Sequence, residues 1–212
     1  MDANTTPNLA SQQRRGYWLR TLHQWHWISA AVCMVGVLLF SITGITLNHA
    51  ADIEAKPQVR HVEDNLPANV LQALSAYKEG NAALPQRVRD WLRVSHDIVS
   101  NEREAEWSED EVYLSMPGPG YDAWLSIQRS DGALEYERTD RGVISWLNDL
   151  HKGRNTGAAW SWFIDLLAVA CIVFTITGLF LLHLHARQRR STWPLVALGL
   201  LIPMLLILLF VH

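Results

Sequence analysis

Seven of the chain's nine histidines stand at the ends of long uncharged runs. His23 and His26 come just before the run 28–47, and His183 and His185 follow the run 166–182. His49, His151 and His212 mark the opposite ends of these two runs and the end of a third, 193–211. Only His61 and His96 lie well away from all three. A lone imidazole at a membrane surface needs no function, because its amphipathic ring tolerates that zone. Seven weaken that explanation: ionisable groups close to a bilayer core are costly and are usually paired or functional, and neutral imidazole is a common iron ligand. Histidines facing one another from different helices therefore point to a b-type haem, which takes two axial ligands from opposite walls. Zinc fits less well, since a protein cage wants four tight ligands and the spacing H-E-x-x-H does not occur.

Helical geometry narrows the ligand choice. His23 and His26 are three apart and share a face, whereas His183 and His185 point about 160° apart at 100° per residue, so at most one of these two faces a bundle interior. From His26 to His49 a helix rises ~34 Å, too far for one haem. The histidines therefore define one site at each surface.

The elements that must position them follow from the apolar runs. Each is long enough, or nearly so with its flanks, to cross roughly 30 Å of hydrocarbon, and three spans are expected. The first is longer than a signal-peptide core and lacks an A-x-A site after it, so it is expected to stay as an anchor. Arg14, Arg15 and Arg20 precede it, and Arg187, Arg189 and Arg190 fill the connection between spans two and three, which assigns both segments to the cytoplasm. The expected organisation is a cytoplasmic segment with an interfacial helix (1–27), a first span (28–49), a periplasmic segment (50–158), a second span (159–185), a short cytoplasmic loop (186–192) and a third span (193–212) ending in the periplasm. The setting would be a bacterial inner membrane. Trp18, Trp25, Trp27, Trp160, Trp162 and Trp193 cluster where an aromatic belt should lie. The two cysteines, Cys33 and Cys171, fall inside spans and read as small apolar filler.

The long intervening segment reads as a small helix-and-sheet module near the minimum size for an independent core. Residues 52–66 suggest a connector, and 67–78 and 84–93 short amphipathic helices that begin at proline. "EVYLSM", "DAWLSIQ" and "ALEYERT" alternate as strands do, the last two joined at Asp131-Gly132 in a hairpin signal. The acidic tract 100–111 reads as a solvated loop. Asp165 is expected to cap span two. A peptidase is disfavoured, because G-x-S-x-G, H-E-x-x-H and a cysteine outside the spans are all missing.

An internal repeat joins the spans. "FSITGITLNH" (40–49) matches "FTITGLFLLH" (174–183): phenylalanine, then Ile-Thr-Gly, then a histidine nine residues after the phenylalanine. Gly44 and Gly178 leave room for a neighbouring helix or a flat macrocycle, with Thr43 and Thr177 able to bond backbone or ligand groups.

The segments "LHQWHWISAA", "ITGITLNHA", "WLNDLHKGRNTGAAWSWFIDLLAV" and "LLHLHARQRRSTWPLV", with the terminal "LFVH", resemble the PepSY-associated transmembrane helix family in a short three-span form. The L-H-x-G-R motif at Leu150 to Arg154 is the most specific part. The resemblance implies a membrane protein of three transmembrane helices with a small α+β PepSY-like periplasmic domain between helices 1 and 2. It also implies haem-mediated electron transfer, since longer relatives include haem-binding reductases of ferric siderophores and others occur beside flavinylated electron carriers. On that basis His151 would ligate iron opposite His49, with His212 as the alternative partner, and His26, His23, His183 and His185 would serve the other surface. Lys152 and Arg154 would meet haem propionates or an anionic chelate, and Asp149 would orient the His151 ring.

Two readings stand. One is a b-type haem protein, with one or two haems, passing electrons from a quinol or cytoplasmic donor to a periplasmic ferric siderophore or flavoprotein. The other is a cofactor-free anchor whose PepSY-like module binds or restrains a periplasmic partner. Membrane lipid is a partner in both, self-association into a homo-oligomer is open in both, and nucleic acid is a partner in neither.

Overall fold

Residues 9–53, 56–186 and 189–211 are described in a computed structural model of the chain. Helix α1 (Leu9–Asn48), helix α5 (Ala158–His185) and helix α6 (Thr192–Phe210) are each long and apolar enough to cross a membrane. The chain is thus a multi-pass membrane protein with the three expected spans. Their side chains face outward: Val35, Ile45, Leu166 and Phe210 are among many large apolar residues left exposed, as lipid-facing helices require. In hydrocarbon every backbone polar group needs an internal partner, which the helix supplies.

The chain forms two compact units, with α1 contributing to both. In the first (1–39 with 163–212), α1 and α5 lie against each other. A Cβ at Gly36 would come 2.5 Å from Leu167 Cδ1, so glycine is what allows that close approach. Cys33, buried, lies beside Cys171. Residue numbers fall along α5 as they rise along α1, as in an antiparallel pair. Helix α6 buries only Thr192 among its described residues.

The second unit (40–162) holds the intervening module. Strands β1 (Gln58–Asn65), β2 (Gly80–Ala83), β3 (Glu104–Trp107), β4 (Glu111–Ser115), β5 (Tyr121–Gln128) and β6 (Ala133–Asp140) build one antiparallel sheet in the order β1-β6-β5-β4-β3-β2. The three expected strands are its centre, and the Asp131-Gly132 turn joins β5 to β6 with Gly132 at φ +80°. The alternation Val112-Leu114, Leu125-Ile127 and Leu134-Tyr136 turns one face inward. Helix α2 (Ala68–Leu71), a 3-10 turn (Gln72–Leu74) and helix α3 (Gln86–His96) cover that face through Val70, Leu74, Val88 and Leu92.

Three expectations change. The helix expected over 67–78 is a single turn, Ala68–Leu71, continued only by the 3-10 turn to Leu74. The stretch 52–66 contains β1, a full edge strand paired along β6 from Gln58↔Asp140 to Asn65↔Ala133. The acidic tract contains β3, whose Ala105 and Trp107 point into the core while Glu104 and Glu106 face outward. In β3 the charged residues occupy one face, and in the edge strand β1 they fall on both exposed faces, so a composition reading takes each segment for loop.

Candidate functional site: two histidine niches

Helix α4 (Gly142–Lys152) brings the central motif into place. It stops where Gly153 takes a left-handed conformation, φ +69°, with Gly153 N–H donating to Leu150 O (3.2 Å) and Arg154 N–H to Asp149 O (2.9 Å). The motif's glycine is therefore a helix stop. Trp160 Nε1 also donates to the Leu150 carbonyl at 2.9 Å.

The same helix presents His151 to the end of α1. Its Nδ1 lies 2.7 Å from Thr43 Oγ1, its ring packs on Phe40 at 5.0 Å between centroids, and its Cε1 sits over Gly44, 3.5 Å from where a Cβ would stand. Phe40, Thr43 and Gly44 share one helical face at spacings i, i+3, i+4. One turn further along α1 and one turn back along α4, Thr46 Oγ1 donates to Asn148 Oδ1 at 3.3 Å, a second bond between the same two helices.

The first unit contains a second such niche. His26, on α1, has its ring stacked on Phe174 at 4.7 Å, Nδ1 3.1 Å from Thr177 Oγ1 and 3.2 Å from the Phe174 carbonyl, and Cε1 over Gly178, 3.2 Å from a would-be Cβ. Each copy of the Phe-x-Ile-Thr-Gly repeat thus seats one histidine that belongs to a different helix. The glycines make room for the imidazoles themselves. Within either niche, the bonds present among the described residues are all to Nδ1.

The other named residues sit differently. His49, just past α1, pairs through Nδ1 with Asp52 at 3.2 Å in an exposed position, and no contact with His151 is present among the described residues. His23 and His185 each turn Nδ1 to the carbonyl four residues back in their own helix, Leu19 and Leu181, both at 2.8 Å. His183 meets Trp193 edge-on at 5.6 Å. His212 and Arg187 lie outside the described residues. Lys152 ends α4 and is exposed.

Asp149 does not touch the His151 ring. It is 3 % exposed, accepts from Gly120 N–H at 2.8 Å, and pairs with Arg154 Nε at 3.0 Å and Arg141 at 3.6 Å. Arg141 also pairs with Asp122 and donates to Ser145 Oγ at 3.2 Å. Two consequences follow: Arg154 is occupied within the protein, and Asp149 ties α4 to the β4–β5 turn. Gly120, at φ +76°, lets that turn approach Trp146, whose Cα would be 2.8 Å from a Cβ there. Asp165 lies in the third turn of α5, past the amides that a cap would satisfy.

The Phe-x-Ile-Thr-Gly repeat was visible in the sequence, but the histidine belonging to each copy was not. The copies end in His49 and His183; His151 and His26 are candidates in the sequence too, but their pairing with the repeat is not legible there, because each is distant in sequence from the copy it meets in space. The available signal was the i, i+3, i+4 grouping of ring, hydroxyl and hydrogen, a socket lacking its own occupant.

Among known proteins, a family model for PepSY_TM-like chains matches residues 17–212. No curated protein and no solved structure matches.

Proposed function

The chain belongs to the PepSY_TM-like family, and from that premise we propose that it is an inner-membrane b-type haem protein that carries electrons to a periplasmic acceptor. The supporting observation is the pair of niches. Metal-bound histidine characteristically has its second ring nitrogen fixed by an outer partner that sets ring orientation. Thr43 does this for His151 and Thr177 for His26, each ring being braced by a phenylalanine. The donor set suits the group: imidazole Nε2 on a helical scaffold, in apolar surroundings.

Haem bound there would supply reversible one-electron transfer at iron. The chain's own residues hold the half-buried imidazoles still, and the exposed Lys152 offers a cation to a carboxylate. His49 or His212 on one side, and His23, His183 or His185 on the other, are the second ligands this reading calls for. The arginines on either side of the spans favour a cytoplasmic N-terminus, a periplasmic sheet module and a periplasmic C-terminus. The acceptor would be a ferric siderophore or a flavoprotein, the donor a quinol or a cytoplasmic reductant.

One observation favours the second reading, a cofactor-free anchor that presents its module to a periplasmic partner. The sheet has its own continuous core. A reduced-minus-oxidised visible spectrum of the detergent-purified chain separates the two. Sharp haem-b bands that weaken in His151→Ala and in His26→Ala are expected; a colourless protein from cells supplied with haem precursor would leave the anchor.

A further inference from the structure

We infer that His151 and His26 are each held in one tautomer, with the proton on Nδ1 and a bare lone pair on Nε2: Thr43 is the positioning residue for His151, and the Phe174 carbonyl, seconded by Thr177, fixes His26. A neutral imidazole carries one N–H, and which nitrogen has it is decided by what each nitrogen meets. For His26 the partner chemistry settles the matter. Its Nδ1 is 3.2 Å from the Phe174 carbonyl, which can only accept, so Nδ1 is the donor. The Thr177 hydroxyl, 3.1 Å from the same nitrogen, is turned as an acceptor because its own proton is directed at backbone carbonyls, Val173 O at 2.7 Å and Phe174 O at 3.0 Å.

His151 follows by the same logic from one partner fewer. Thr43 Oγ1 donates to the Phe40 carbonyl at 3.2 Å, so the oxygen presents a lone pair to Nδ1 at 2.7 Å. A threonine in a helix commonly returns its hydroxyl proton to a carbonyl three or four residues back. That habit converts the hydroxyl into a fixed acceptor for a ring arriving from another helix. Glycine one residue on completes the socket by leaving space for Cε1, so the short pattern Phe-x-x-Thr-Gly orients the ring and selects its tautomer together. The Nε2 lone pair that results is the form that can ligate a metal or accept a proton.

The inference concerns the chain's own imidazoles and does not need a bound haem, so its test uses the full chain purified in detergent without haem precursor. With 15N-labelled histidine at about pH 8, above the ordinary imidazole range, long-range 15N–1H ring spectra distinguish protonated from bare ring nitrogens. His26→Gln and His151→Gln assign the two signals. The expected wild-type result is a protonated Nδ1 and a bare Nε2 for both. Thr43→Val, which keeps shape and removes the acceptor, should shift His151 to a mixture of tautomers, and Thr43→Ser should restore the single form. Thr177→Val should leave His26 in its wild-type tautomer, because the Phe174 carbonyl remains. A wild-type His151 protonated at Nε2, or a Thr43→Val spectrum identical to wild type, would overturn the inference. The expected ring spectra here, together with a colourless protein from a separate preparation in cells supplied with haem precursor, would instead count against the haem and leave the tautomer assignment standing.

Discussion

A glycine beneath an imidazole is a steric statement with a measurable margin. The space under His26 is tighter than that under His151, since a Cβ at Gly178 would stand 3.2 Å from the ring and one at Gly44 3.5 Å. Gly178→Ala should therefore push the His26 ring and move its NMR signals, while Gly44→Ala makes ordinary contact and should leave those of His151 near their wild-type positions. Equal disturbance in the two variants would contradict the niche geometry. In the sheet module, the hydrogen bond from His61 to Glu63 raises the His61 pKa above 6.5; burial opposes this, and the charges of Glu63, Glu135 and Glu137 add to it. A raised folded-state pKa contributes stability that is complete below the unfolded value and is lost as pH rises through the folded one. Denaturant unfolding of the full chain, followed by tryptophan fluorescence, should show the module weakening slightly across that window. In Glu63→Gln that slope should flatten; an unchanged pH profile would remove His61 from the explanation.

Helix α4 is the element on which the second unit's site depends, because it meets α1 through His151 and Asn148 and the β4–β5 turn through Asp149. Removing a buried charge strands its partners, at a typical cost of about 3 kcal/mol or more. Asp149→Ala leaves the buried Gly120 amide unmatched and takes from Arg141 one of its two carboxylates, so it should lower the module's unfolding midpoint, whereas Arg154→Ala, at a half-exposed position, should cost much less. Midpoints that fall equally would show that Asp149 acts only as a partner of Arg154. Much at this scale could be read from residues. The uncharged runs defined the spans, and the strands with one apolar face stood out. Strands β1 and β3 did not, because their partners across the sheet, and not their own composition, make them strands. Asp149 misled for a related reason: two residues before a histidine it looks like an orienting carboxylate, but on a helix that spacing points the two side chains to different sides.

For the whole molecule, the distribution of arginine gives an orientation that can be checked on intact cells. In a chain with Cys33 and Cys171 replaced by alanine, a cysteine at Ser130 in the β5–β6 turn should react with a membrane-impermeant thiol reagent in the periplasm, and one at Ser191, before α6, should react only after lysis. The reverse pattern would invert the proposed direction of electron flow. The twin niches also carry a stoichiometric consequence, since each seats one histidine on its own copy of the repeat. The decisive measurement is haem content per chain, by extraction from purified wild type, His26→Ala, His151→Ala and the double variant. Two haems in the wild type, about one in each single variant and none in the double variant are expected; a wild type without haem, or variants that retain the full complement, would contradict the assignment of both niches.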